Sequence, residues 1–314
     1  MVVSATITAL HFTDPGCPWA YSFRPAWTRL VWRFGDQLDW RLVLIGLAES
    51  HEQYAARGYT PERMALGLRR FGRRFGMPFE AHVKPRVAGT SRACRAIVAA
   101  REIDPALGEG ALRALQLMHF TTPGLLDEDA DLRAALAMVP GLDAEAVVAR
   151  IDDPAVLEAY EADRARAREA AGSPTHAQDR TAATDGPVRY TAPSVLFVHQ
   201  DGRSIEVGGF QPFESYDTAL ANLDPTLERR PGPASVREVL EAFPAGLSTA
   251  EVAAVLRASD LDETDVPGAR RELEGLVLAG VAVREPVGDD ALWRPAVAAP
   301  APSAVLHGGQ ASAG

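Results

Sequence analysis

The sequence predicts an α/β protein with an all-helical insertion, followed by a small α+β module. Three observations carry this. Residues 5–12 are apolar and β-rich, a helical pattern opens at Pro18, and residues 39–46 alternate and then become fully apolar, which makes a β-α-β start. Residues 50–172 show weak strand signals throughout. The chain then returns to strands at 193–198 and 204–207, joined by Gln200-Asp201-Gly202-Arg203 with Asp-Gly at the centre of a hairpin turn, and closes with an amphipathic helix at 212–223.

In the first helix, Tyr21, Trp27, Leu30, Val31 and Phe34 fall near one face of a run from Pro18 to about Phe34. The insertion, about 50–185, carries helical stretches near 61–75, 90–102, 109–119, 129–138, 143–150 and 154–170. Pro105, Pro123, Pro140 and Pro154 punctuate them. Glu228–Pro233 reads as a linker that ends a first domain of residues 1–227. Beyond it, helices are expected at 235–243, from Ser248, and at 267–279 ending at Gly280. Ser248 and Glu251 form a capping box. A short hairpin over 281–284 and 291–293 follows. Three helices and a hairpin over 232–296 resemble a winged-helix module. Residues 297–314 are rich in Ala, Pro, Ser and Gly and are expected to be disordered.

The formal charge is −10, with no long basic run. That weighs against nucleic acid as a partner, which would require Lys and Arg to displace counterions. Six basic side chains stand against twelve acidic ones over 232–295, too acidic for a recognition module. Packing on the first domain, protein contact or homodimerisation are the expected roles there. No run of about 18 apolar residues offers a membrane span. Met1–Thr6 lacks a basic n-region and an apolar h-region, so a cytoplasmic protein is expected. Two cysteines, Cys17 and Cys94, are too few for a disulfide scaffold.

Asp14-Pro15-Gly16-Cys17-Pro18-Trp19-Ala20 carries the chemistry. A cysteine at a helix N-terminus faces unpaired N–H groups and the positive end of the helix dipole, which predicts a lowered pKa and a reactive thiolate. Pro18 suits the first helical turn, and Trp19 would shield one side of the sulfur. This loop resembles that of the DsbA-like thioredoxin-fold family, in its FrnE and 2-hydroxychromene-2-carboxylate isomerase-like group, whose usual loop is Asp-Pro-x-Cys-Pro-Trp-Cys. The first strand, the helical insert and Thr191-Ala192-Pro193 before the third strand follow that family's order over roughly residues 5–223. The resemblance implies a thioredoxin-like fold, no bound cofactor, and a thiol, disulfide or small-molecule substrate. It implies a cis Pro193 beside Cys17, with Ala192 offering backbone groups to the substrate.

Ala20 departs from the pattern, because a dithiol enzyme needs a second cysteine to resolve its mixed disulfide. Three outcomes stay open: a monothiol enzyme with glutathione as co-substrate, isomerase or transferase chemistry like that of relatives that activate glutathione with a serine here, or a non-catalytic binding or regulatory protein. Cys94 is a candidate resolving thiol, but its neighbours Ala93, Ile97 and Val98 favour simple burial. Asp14 is expected to orient the loop. His119 lies in a region that faces the cleft in the resemblance and is a candidate substrate contact. His11, beside the loop, reads as a core histidine or as a modulator of Cys17. Arg63, Arg69, Arg70, Arg73 and Arg74 form either a solvated face or an attractor for an anionic co-substrate such as glutathione. No His, Cys or Asp spacing suggests a metal site.

Overall fold

The computed structural model describes residues 5–184, 186–259 and 261–296. The tail expected to be disordered, 297–314, lies outside them. Strand β1 (Ile7–Thr13) leads through the cysteine loop into α1 (Pro18–Ser22) and α2 (Arg24–Phe34), and β2 (Leu38–Leu44) follows. The single helix expected over 18–34 is broken at Phe23. Pro25 in the first turn of α2 has no N–H to donate to the Tyr21 carbonyl, so the ladder is interrupted there. β2 pairs parallel to β1 with Ile7 opposite Leu38 and Thr13 opposite Leu44.

The insertion follows as α3 (His51–Ala56), α4 (Pro61–Phe75), α5 (Ser91–Arg101), α6 (Pro105–Thr121), α7 (Asp129–Leu136), α8 (Ala144–Ala149), α9 (Pro154–Ala167) and α10 (Pro174–Ala177). A two-residue ladder of β3 (Thr181–Ala182) with β4 (Arg189–Tyr190) ends it. Neither α3 nor this ladder was expected, since six-residue and two-residue elements are too short to show a period. β5 (Ser194–His199), β6 (Ser204–Val207) and α11 (Phe213–Leu223) complete the domain. The sheet order is β2-β1-β5-β6, with β1 at the centre. Ile7, Ala9, Val195 and Phe197 of the sheet pack with Leu30 of α2 and Tyr216 of α11. The insertion has its own core around Ile97, Leu112, Leu115 and Val147. This is a thioredoxin-like fold with an all-helical insertion between β2 and β5.

The C-terminal module is α12 (Val236–Ala242), β7 (Leu247–Ser248), α13 (Thr249–Leu256), α14 (Val266–Leu278), β8 (Ala282–Val287) and β9 (Asp290–Pro295). Its antiparallel sheet has the order β7-β9-β8, and both hairpin strands are longer than expected. The capping box of Ser248 and Glu251 is present. Residues 228–233 run along α2: Arg230 N donates to Arg33 O at 2.9 Å, and Trp32 Nε1 donates to Pro231 O at 3.0 Å. α13 then packs on α2. There Glu251, fully buried, takes Arg113 Nη2 at 2.7 Å, Thr28 Oγ1 at 3.1 Å and Ser248 N at 2.8 Å. One carboxylate thus joins α13, α2 and α6.

His11 is a core histidine. Its ring stacks on Trp27 at 4.2 Å, and neither ring nitrogen has a hydrogen-bond partner. Burial, with a smaller contribution from Arg24, lowers its pKa to about 3. A depressed histidine pKa stabilises the fold above the unfolded value of about 6.5, and that contribution is lost as pH falls toward 3. His11→Phe keeps the ring stack and removes the proton site. The variant is therefore expected to lose less stability than the parent between pH 6.5 and 4, by about 3 kcal/mol at pH 4 in urea titrations. Parallel stability curves for the two proteins across that window would contradict this.

Candidate active site

β1 ends by placing Asp14 at the base of the loop, where it is fully buried. Asp14 Oδ1 accepts the Gly16 N–H at 2.8 Å. Its Oδ2 accepts from Leu47 N at 2.9 Å, Thr90 Oγ1 at 2.9 Å and Cys94 Sγ at 3.6 Å. Burial raises the Asp14 pKa, and these four donors oppose the rise. The carboxylate therefore ties the loop to the segment that follows β2 and to the start of α5. Gly16 is required by space: a Cβ there would stand 2.6 Å from Thr90 Cγ2 and 3.2 Å from Leu126 Cδ1.

Cys17 is the N-cap residue of α1. Its thiol donates to the Ala192 carbonyl oxygen at 3.2 Å, and the Ala192–Pro193 peptide is cis. The structure thus brings Asp14, Cys17, Pro18, Ala192 and Pro193 together. Trp19 forms the rim at 41% exposure, edge-on to Phe71 of α4 at 4.8 Å and close to Phe210 at 5.4 Å.

The expected activated thiolate is not what this conformation holds. Cys17 is only 6% exposed and packs with Phe12, Ala20, Val43, Tyr190 and Leu196. Burial pushes the thiol up to about 12. The Ala20 and Trp19 amides and Arg189 pull it down, and Asp14 pushes it up. The helix terminus acts in the predicted direction, but a five-residue helix does not outweigh removal of the charge from water.

Cys94 is fully buried on α5, and its pKa is raised well above the ordinary value, first by burial and then by Asp14. Both cysteines are free thiols. Cys94 meets the loop through Asp14 and contributes an S–H donor to it. His119 is engaged elsewhere: its Nδ1 lies 3.4 Å from Lys84 Nζ, and Lys84 also donates to the Gly124 carbonyl. Among the described residues, no group of three or more His, Cys, Asp or Glu side chains could hold a metal ion, and no helix is long and apolar enough to cross a membrane.

Two residues near the thiol were not singled out from sequence. Tyr54 of α3 has its pKa raised by burial and then by Asp14 and Cys17, which puts its phenol in the field of the site. Arg189 of β4 is a 5% exposed cation that donates to Tyr190 O at 3.1 Å and favours the Cys17 thiolate. Neither belongs to a motif. Tyr54 sits on an element too short to read from sequence, and Arg189 comes from the far end of the insertion.

A cysteine-opened helix beside a cis-proline, on this four-stranded sheet, defines a thioredoxin-type thiol site. The model of the DsbA-like thioredoxin domain matches residues 9–189, more than half of the chain, and the chain belongs to that family. Among solved structures, a protein assigned as a disulfide isomerase from Nitrosomonas europaea shares the fold. The two are 16% identical with a TM-score of 0.53, over 69% of this chain and 97% of that one. The cytosolic disulfide reductase DsbM of Pseudomonas aeruginosa is 19% identical, with a TM-score of 0.49 over 69% of this chain and 100% of that one. A 2-hydroxychromene-2-carboxylate isomerase is 15% identical, with a TM-score of 0.39 over 69% and 95%. No curated protein matches the sequence.

Proposed function

We propose that this chain is a one-cysteine thiol–disulfide exchange enzyme that reacts through Cys17. The observation that carries this reading is the Cys17 sulfur at the N-terminus of α1, 3.2 Å from the carbonyl that precedes Pro193. In the step envisaged, the Cys17 thiolate attacks a substrate disulfide. A Cys17–substrate disulfide forms, the S–S bond of the substrate breaks, and the second substrate sulfur leaves as a thiolate. With Ala20 in place of the resolving cysteine, release falls to an external thiol such as glutathione, which attacks the mixed disulfide and leaves Cys17 reduced. Cys94 is a weaker candidate for that role, because its S–H is engaged by the buried Asp14 carboxylate.

Incubation with oxidised glutathione or hydroxyethyl disulfide is expected to give a stable mixed disulfide on Cys17, seen by intact-mass and peptide spectrometry. Added reductant should remove it, and Cys17→Ala should never form it. No adduct at Cys17 with either disulfide favours the second reading, a non-catalytic binding protein. One observation speaks for that reading: the sulfur is enclosed and its pKa stands at about 12. The C-terminal module supports a winged-helix reading through its order of helix, short strand, two helices and hairpin. With twelve acidic against six basic side chains, it would serve as a docking module in either case.

A further inference from the structure

We propose that the exposed arginine face of α4 docks an acidic polypeptide segment of the substrate presented to Cys17, an inference that rests on the thiol-exchange reading. α4 is amphipathic in an unusual way. Ala65 and Leu68 are buried, and Phe71 and Phe75 turn their rings toward Trp19 on the rim of the site. The opposite side carries Arg63, Arg69, Arg70, Arg73 and Arg74, all exposed, against a single carboxylate, Glu62, in the first turn.

Elsewhere in the molecule arginines are neutralised: Arg92 by Asp129 and Asp152, Arg101 by Asp163, Arg237 by Glu241. Among the described residues, none of the five on α4 has a carboxylate partner. Arg63 donates only to the Gly58 carbonyl, and Arg74 lies over the Phe75 ring at 5.2 Å. In a chain of formal charge −10, five unpaired cations on one helix face are a local reversal of sign. Such a reversal steers an oppositely charged partner to the neighbouring site.

The extent of the face selects the partner. At about 1.5 Å per residue, Arg63 to Arg74 spans about 17 Å. A fully extended tripeptide covers only about 10 Å. A tripeptide thiol such as glutathione, with a net charge of −1 at neutral pH, would leave most of these cations unsatisfied. An acidic stretch of several residues matches them in length and sign, and Phe71 and Phe75 of the same helix pack against Trp19, two residues along the loop from Cys17.

The test uses the full chain carrying Cys17→Ala, so that binding is read without chemistry. A rhodamine-labelled octaglutamate peptide is followed by fluorescence anisotropy at low salt. Saturable, salt-sensitive binding is expected, weakened at least about tenfold by the combined Arg69→Glu, Arg70→Glu and Arg73→Glu substitutions. Arg237→Glu on α12, whose guanidinium is paired with Glu241, should leave it unchanged. Absence of binding, or binding indifferent to the triple substitution, overturns the proposal. So does displacement of the peptide by an equal concentration of reduced glutathione, or tighter binding of an oligothymidine of the same length to the same face.

Discussion

Replacing Glu251 with alanine is expected to lower the free energy of unfolding by about 3–5 kcal/mol, read as a shift in the urea midpoint. The reason lies in what the carboxylate leaves behind. Arg113 donates to both of its oxygens, at 2.5 and 2.7 Å, and Arg24 Nε stands 3.6 Å away. All three side chains are largely enclosed, with side-chain exposures of 12% for Arg113, 8% for Arg24 and 0% for Glu251. Without the anion, two guanidinium groups lie in an apolar junction, with Glu109 the remaining carboxylate on Arg24. Serine 248 also loses the acceptor of its backbone N–H, so α13 loses half of its capping box. Cleavage by a protease within 228–233 should appear in the same variant, as the module leaves α2. A loss below about 1 kcal/mol would mean that the other contacts hold the module, among them Arg257 with Glu214 and the Phe79 N–H on Asp289.

The pH dependence gives an independent measure of the same contact. Burial acts to raise the Glu251 pKa, but Arg113, Arg24 and the Ser248 amide outweigh it and hold the group at about 2. A carboxylate depressed in the folded state stabilises above its unfolded pKa, about 4.3, and that contribution disappears as pH falls toward 2. The parent should therefore lose stability steeply from about pH 4.3 to 2. In Glu251→Gln the component due to this group should vanish.

Glu251 also shows what could be read from the sequence and what could not. Its capping role is local, a Ser and a Glu three residues apart, and was legible. Its partner Arg113 is 138 residues away and was not. The same division holds elsewhere. The helix expected over 61–75 is the α4 observed, because its period and its cap Thr60 are local. The Asp201-Gly202 turn forms with Gly202 at φ +91°, the left-handed backbone for which Gly is suited. The Cys-Pro-Trp loop identified the thiol and its fold. The protonation state of the thiol depends on its burial in a cluster with Phe12, Tyr190 and Leu196 from three separate strands, and no local pattern reports that.

Alkylation of Cys17 by iodoacetamide is expected to run about fiftyfold slower than alkylation of a free cysteine at pH 8. With a pKa of about 12, only about one sulfur in ten thousand is ionised at that pH, against roughly a quarter for a free thiol near 8.5. The ratio is about two thousand. A more basic thiolate is a better nucleophile, with a Brønsted slope of about 0.4–0.5, which returns a factor of about 30–50. The logarithm of the rate should climb with unit slope from pH 7 to beyond pH 10, where a free thiol has levelled off. Stability changes in the matching sense. A thiol pKa raised by folding stabilises below the unfolded value near 8.5, and this is lost as pH rises toward 12. A plateau in the alkylation rate below pH 9 would show that an open form with an ionised sulfur dominates in solution. The unit slope instead means that the enclosed, protonated thiol persists in solution. Trp19, 41% exposed and packed on Phe71 and Phe210, is the exposed residue of the loop. Trp19→Ala removes that side chain and should raise the alkylation rate while leaving Asp14 and its four donors in place.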